Sequence, residues 1–477
     1  MGDAIHQDWE SNPHVEILHV LDQINQPYSC NEWGDGGLSG CYSYFNGAWI
    51  EETGEDVETQ AECEAYDGNN DGIADGYSWI NAIPPIIIGE SSVVQNTTFD
   101  NGLRVVSCKM PHMRSVSISV EVGVGSRFET PRLAGSSHFL EHMLFKGTAD
   151  MPDPSDINEL IESGGGILNA STEYEVTSYW CRVALPYFRE SLQLVIDLLR
   201  NSLLEPENIE KERMVIVEEL NMINDQPSSK VESLIDEMLW PNNPMGRDIG
   251  GTKESINKIN RVDLIKYYRT HYSASNVVVS VAGNVSHSEV VDLVDELCRD
   301  WDAGDSQELF PASPIQSDPQ VRLHSKRTEQ SHLAISLRGL SVYDSDRYIL
   351  DLISCILGGS MSSRLFVEVR EKRGLAYDIQ SGVGHYCDSG TFTITAGVDS
   401  KRLLEAINII LSQIVDLKGF LSEEELEKAK KFLTGRLMLS VEDTRSVASF
   451  IGSQMLVFGK VKSVEGIISQ INSVTVE

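Results

Sequence analysis

The stretch NIEKERMVIVEEL, residues 208–220, returns in altered form as LEKAKKFLTGRL, residues 426–437. Glu210 and Lys211 match Glu427 and Lys428, and Leu220 matches Leu437. Further along, INRV at 259–262 is answered by INSV at 471–474, at nearly the same separation. Recurrence at a fixed spacing marks a duplicated structural unit, here of roughly 200 residues. Outward from these anchors each copy alternates β-forming runs with long amphipathic helices, so the chain reads as α+β with two homologous sheet-plus-helices domains. The spacer DAGDSQELFPASPIQSDP, residues 302–319, is rich in Pro, Ser and Asp and reads as a linker. It leaves 98–301 as the first domain and 320–477 as the second. Residues 1–97, rich in Gly, Asn, Asp and aromatics and closed by the Pro84–Pro85 break, form an appended irregular region. In the first copy INRV leads into the helix DLIKYYRTHY and the strand-forming run NVVVSVAG, residues 276–283, whereas the second copy stops at Glu477 before either. The second domain is expected to lack its last helix and strand.

The formal charge of −34 is spread unevenly, with no Lys or Arg before Arg104. Acidity of this degree disfavours nucleic-acid binding, which needs basic groups against phosphate. It suits solubility or a saline habitat, and a cavity attractive to basic peptides is the sharper alternative. With 41% apolar and 23% charged residues the composition is that of an ordinary globular protein. No apolar run approaches the length of about eighteen residues that a membrane span takes. The start, MGDAIHQDWE, shows neither a signal peptide nor an Arg-rich leader, which slightly favours the cytoplasm. Cys30, Cys41 and Cys63 fall in the appended region, while Cys108, Cys181, Cys298, Cys355 and Cys387 stand singly in apolar surroundings, as buried small hydrophobes do.

The segment GSSHFLEHMLFKGT, residues 135–148, has no Pro or Gly between His138 and Lys146 and reads as a helix. Residues three and four apart share a helical face, so His138, Glu141 and His142 point together. Two imidazoles at this spacing hold one Zn²⁺, and a carboxylate beside them can take a proton from a water there. This is the inverted HxxEH motif. A catalytic zinc needs a third protein ligand. On the later helix KERMVIVEELNMI, residues 211–223, Glu212 and Glu219 lie nearly two turns apart on one face. An acid so placed is ordinarily just solvated surface. The repeat argues otherwise: the second copy has Ala429 for Glu212, Arg436 for Glu219 and no HxxEH at all. The polar set vanishes together, as expected if one copy kept a metal and the other lost it. Glu219 is thus the expected ligand, Glu212 an acid that orients a histidine, and Glu218 the alternative ligand.

With these residues in view, HFLEHMLFKGT, GGILNASTEYEVTSYW and ERMVIVEELNM together resemble the pitrilysin family of zinc peptidases, which includes insulin-degrading enzyme and the mitochondrial processing peptidase. PMGRDIGGTKESI and LFVEVREKRGLAYDIQSG extend the resemblance over roughly residues 98–477. It implies a clam shell of two similar α+β domains, a zinc metalloendopeptidase activity on peptide substrates, and Glu219 as third ligand. It further implies that Arg370 and Tyr377, within REKRGLAY, reach across from the second domain to steady the oxyanion, with Glu141 as the proton carrier. The strand LNAST would pair with the substrate backbone through Asn169 and Ala170. Having both halves in one chain resembles the bacterial members that work as homodimers. The rival reading is a non-catalytic clam-shell scaffold, and the retained motif residues weigh against it.

In the appended region, YDGNNDGIADG places Asp67, Asn69, Asp71 and Asp75 at alternate positions around Gly72, like the start of a calcium loop. Position twelve is Ser78 instead of Glu. A Ca²⁺ site and a plain acidic turn therefore both fit.

Overall fold

The computed structural model describes residues 94–305, 308–312 and 318–477, with the backbone of three short strands at Val15–Ile17, Tyr42–Phe45 and Ala48–Glu51. The calcium-loop candidates Asp67, Asn69, Asp71 and Asp75 lie outside the described residues.

The first half is a sheet of six strands: β1 (Val94–Thr98), β2 (Arg104–Lys109), β3 (Ser115–Val122), β4 (Ile167–Thr172), β5 (Thr177–Ala184) and β6 (Val277–Gly283). Their order is β1-β2-β6-β3-β5-β4. Neighbours run antiparallel except β2 and β6, which pair in parallel from Arg104↔Val278 to Lys109↔Gly283. The run VVVSVAG has no polar alternation because β6 lies inside the sheet and is buried along its whole length. β4, by contrast, is partly exposed at every residue and forms an edge.

Among the described residues, eight helices accompany this sheet: α1 (Ser136–Leu144), α2 (Pro154–Glu162), α3 (Phe188–Asn201), α4 (Pro206–Asp225), α5 (Pro227–Leu239), α6 (Lys253–Lys258), α7 (Arg261–His271) and α8 (His287–Cys298). Phe139, Leu140 and Met143 of α1, Leu192 and Val195 of α3, and Ile216 and Leu220 of α4 meet Ile118 and Val120 of β3 in one core. Burial of such side chains, each contributing about 1.5–3 kcal/mol, is what holds the helices to the sheet.

The second half repeats the plan in shorter form. β7 (Ser331–Gly339), β8 (Ala376–His385) and β9 (Gly390–Val398) pair antiparallel in the order β7-β9-β8. Helix α9 (Arg347–Gly358) and a π-helical turn at Phe366–Glu371 lie between β7 and β8, and α10 (Leu403–Gly419), α11 (Glu423–Ser440), α12 (Thr444–Phe458) and α13 (Val464–Asn472) follow β9. The repeated sequence falls on α4 and α11, which occupy the same place in the two element orders. Among the described residues, no helix is long and apolar enough to cross a membrane.

The halves exchange helices. Val447, Ala448, Ile451 and Met455 of α12 pack on Val106, Cys108, Val278 and Ala282, the back face of the first sheet. The approach is close: a Cβ on Gly452 would come within 2.9 Å of the Ser280 Cβ, and Ser280 Oγ donates to Ala448 O at 2.6 Å. Reciprocally, Val231, Ile235 and Leu239 of α5 join Trp240 against Ala334 of β7. Arg338 of β7 donates to Leu239 O at 2.6 Å and lies over the Trp240 ring.

Candidate metal centre

α1 is preceded by its N-cap Gly135, whose φ of +91° is the left-handed conformation that glycine adopts without strain. A side chain there would also strike Gly250 O, which stands only 2.5 Å from where its Cβ would lie. The helix has no cap from its own N-cap side chain. Its free N–H groups are met by the buried carboxylate of Glu129, which accepts from Gly135 N and Ser137 N, each at 2.7 Å. Burial pushes Glu129 up to about 7, with those two backbone bonds pulling the other way. One face of α1 is fixed by Phe139, Leu140, Met143 and Leu144 in the core. The opposite face turns His138, Glu141 and His142 toward α4.

On α4, Ile209, Ile216 and Leu220 are buried, and this sets the rotation of the helix. Glu219 Oε2 lies 3.5 Å from His142 Nε2 and 3.8 Å from His138 Nε2, and the two imidazole nitrogens are 3.2 Å apart. Ligands on a tetrahedral zinc, at about 2.0–2.1 Å from the ion, stand about 3.3 Å from one another. The three atoms are thus spaced as the edges of one coordination shell, and the donor set fits zinc. Glu218 is exposed and stands outside this group.

Glu212, seven residues before Glu219, is buried. Its Oε2 is 3.1 Å from His142 Nδ1, and its Oε1 takes an ion pair from Lys146 Nζ at 2.9 Å. A carboxylate at Nδ1 holds the proton on that nitrogen and leaves the Nε2 lone pair free to coordinate. Burial and the neighbouring His142 lower His138 to about 4, which keeps its ring neutral and able to donate a lone pair at neutral pH. His138 Nδ1 is buried and has no hydrogen-bond partner.

Glu141 is also largely enclosed, and burial raises its pKa, opposed by the Thr172 hydroxyl and His142. Thr172 Oγ1 donates to Glu141 Oε2 at 2.5 Å, anchoring the carboxylate. The cleft holding these groups has a volume of about 310 Å³. Its walls include Ala170 and Thr172 of β4, Ile216 and Ile223 of α4, and the loop residues Asp248 and Ile249. Asn169, next to Ala170, is not in the wall; its Oδ1 accepts from Ala170 N at 2.8 Å. The outer edge of β4 has no strand beside it among the described residues.

Arg370 and Tyr377 meet each other instead of the histidines. The Arg370 guanidinium stands 5.1 Å from the Tyr377 ring centroid and 4.7 Å from that of Phe366. In β8, Ala376 opposes Val398 and Asp378 opposes Gly397, so Tyr377 is the extra residue of a β-bulge. Bulges re-aim side chains, and this phenol is 76% exposed. Neither residue lines the 310 Å³ cleft.

Sequence reasoning overlooked Thr172, Lys146 and Glu129. Lys146 stands four residues after His142, on the motif's own face, so the helical spacing carried a signal for it. Nothing local marks Glu129 as the cap of a helix beginning seven residues later.

Comparisons with known proteins bear on the family and the fold. Residues 104–253 match the family described as insulinase, peptidase family M16, and residues 258–433 match the peptidase M16 inactive domain. A protein of Bacillus subtilis named as an uncharacterized zinc protease is 36% identical over 81% of this chain and 93% of its own length. One from Streptomyces coelicolor, similarly named, is 35% identical over 82% and 87%. Among solved structures, a protease from Helicobacter pylori superposes with a TM-score of 0.72 at 23% identity, covering 80% of this chain and 94% of the other. A peptidase M16 inactive domain from Pseudomonas fluorescens gives 0.73 at 19%, covering 80% and 92%. These last two likenesses carry the fold: two homologous sheet-plus-helices domains of the clam-shell class. With 36% identity to the Bacillus protein over 386 aligned residues, nearly that protein's full length, the chain belongs to the insulinase (M16) family of peptidases, the family of pitrilysin.

Proposed function

We propose that this chain is a zinc metalloendopeptidase that hydrolyses bonds within peptides or unfolded segments. The observation that carries the reading is the convergence of His138 Nε2, His142 Nε2 and Glu219 Oε2 at 3.2–3.8 Å from one another. These residues would hold the zinc. When bound, zinc acidifies a water and polarises the scissile carbonyl. Glu141, its carboxylate steadied by Thr172 and its proton affinity raised by burial, accepts the water proton and returns it to the leaving amine. Arg370 and Tyr377 would supply a cation and a phenolic donor for the oxyanion. The substrate lies along the open edge of β4, where main-chain hydrogen bonds beside Asn169 and Ala170 tolerate many sequences.

The test is elemental analysis of the purified protein together with digestion of a peptide library, with and without a chelator. About one zinc per chain and chelator-sensitive cleavage are expected. A zinc-free protein, or cleavage indifferent to chelation, overturns the reading.

A further inference from the structure

The end of α1 is tied to α4 through one residue. Lys146 stands just past the helix, where its N–H donates to Met143 O at 3.0 Å and its carbonyl accepts from Asn208 Nδ2 of α4 at 3.1 Å. The chain beyond it is stitched to the α3–α4 connection: Gly147 O accepts from Leu203 N at 3.1 Å, and Thr148 bridges to Ser202. From this fixed backbone the Lys146 side chain reaches Glu212 Oε1 at 2.9 Å. The other oxygen of that carboxylate, Oε2, lies 3.1 Å from His142 Nδ1. Lys146, Glu212 and His142 thus form a line that ends on the ring whose Nε2 faces His138 and Glu219.

Such an ion pair could serve to hold α1 against α4 or to orient the imidazole. The second half separates these roles, because it repeats the helix pair without the ions. Ala429 of α11 stands where α4 has Glu212, and the segment after α9, GSMSSR at 359–364, has no lysine. Its one cation, Arg364, turns to Glu425 instead, with bonds of 2.8 and 2.7 Å. Cys355 and Ile356 of α9 pack beside Ala429, with Cys355 Sγ 3.9 Å from Ala429 O. Helix-on-helix packing in this architecture therefore does without a Lys–Glu pair. A carboxylate whose side chain is only 10% exposed, as that of Glu212 is, costs stability unless a counter-charge and hydrogen bonds satisfy it. Its presence in the copy that has the histidines points to a duty toward them.

We propose that Lys146 is a positioning residue for zinc: by holding Oε1 of Glu212 it turns Oε2 onto His142 Nδ1, and so keeps the Nε2 lone pair of His142 directed at the site. The inference rests on the zinc reading of the site and adds to it a residue that touches neither metal nor substrate. In Lys146→Met, competition with a chromophoric chelator should show zinc affinity about tenfold weaker, while Lys146→Arg stays within about threefold of the parent. In a Glu212→Gln background the Lys146→Met change should cost less than about twofold, because Lys146 acts through that carboxylate. On zinc-free protein, histidine-selective nitrogen NMR should show His142, identified by the signal lost in His142→Asn, as the Nδ1-protonated tautomer in the parent and as a mixture of tautomers in Lys146→Met. A helix-pairing role alone would lower stability in urea and leave affinity and tautomer unchanged. That result overturns the proposal, as does an equal loss of affinity with and without the Glu212 carboxylate. Should Lys146→Met fail to fold, Lys146→Gln takes its place. If the parent chain binds no zinc, the peptidase reading falls, and the tautomer comparison by itself decides what Lys146 does.

Discussion

Glu141 and Glu212 are two carboxylates beside the same pair of histidines, with different surroundings and different duties. Glu141 faces the cleft with one oxygen held by Thr172, whereas Glu212 is buried between His142 and Lys146. Glu141→Gln should keep zinc and lower turnover by about 10²–10⁴, read by metal analysis and peptide cleavage on one preparation. Glu212→Gln should weaken zinc affinity roughly 10- to 100-fold, because the His142 tautomer loses its anchor; competition with a chromophoric chelator measures it. Glu129 adds a pH dependence. Its folded pKa of about 7 lies above the ordinary 4.5, so the folded state binds this proton more tightly than the unfolded chain. The stabilisation is complete below the unfolded value and is lost as pH rises through about 7, with a slope of at most about 1.4 kcal/mol per unit. Glu129→Gln should flatten that slope in urea unfolding followed between roughly pH 5 and pH 8. At this scale the HxxEH spacing was legible because helical geometry is local. Glu219 was legible through its replacement by Arg436 in the other copy and through the family resemblance. Glu129 was not, since its partners are brought near by the fold and not by spacing along the chain.

The elements show a similar division. Helices such as α4 and α11 announced themselves through periodicity and mutual resemblance, and β6 through its unbroken apolar run. What periodicity cannot encode is which surface an amphipathic helix will cover. α12 reads as a helix of the second copy, yet its apolar face lies on β2, β3 and β6 of the first. Ile451→Ala, a change distant from the motif, should therefore destabilise the catalytic half by about 2–5 kcal/mol, measured by denaturant unfolding with a probe near Trp180. The bulge at Tyr377 was equally hidden, because an extra residue in one strand is defined only by the register of its partner.

At the scale of the whole described unit, the repeat located two homologous halves, while packing makes them interdependent. Residues 94–305 expressed alone would expose Val106, Cys108, Met110, Val278 and Ala282, the surface that α12 covers. That fragment is expected to aggregate or bind a hydrophobic dye, and light scattering would show it. A well-behaved monomer would mean that the exchanged helix contributes little to the fold.

The reciprocal lodging of α5 and α12 also bears on history. Before duplication, one copy of this unit would have carried a bare apolar sheet face and a helix with nowhere of its own to rest. Two identical chains clasping each other about a twofold axis would cover both surfaces. Joining the two copies in one chain makes that concentration-dependent association an internal one. Once the partners were no longer identical, one could shed its histidines while continuing to shelter the other.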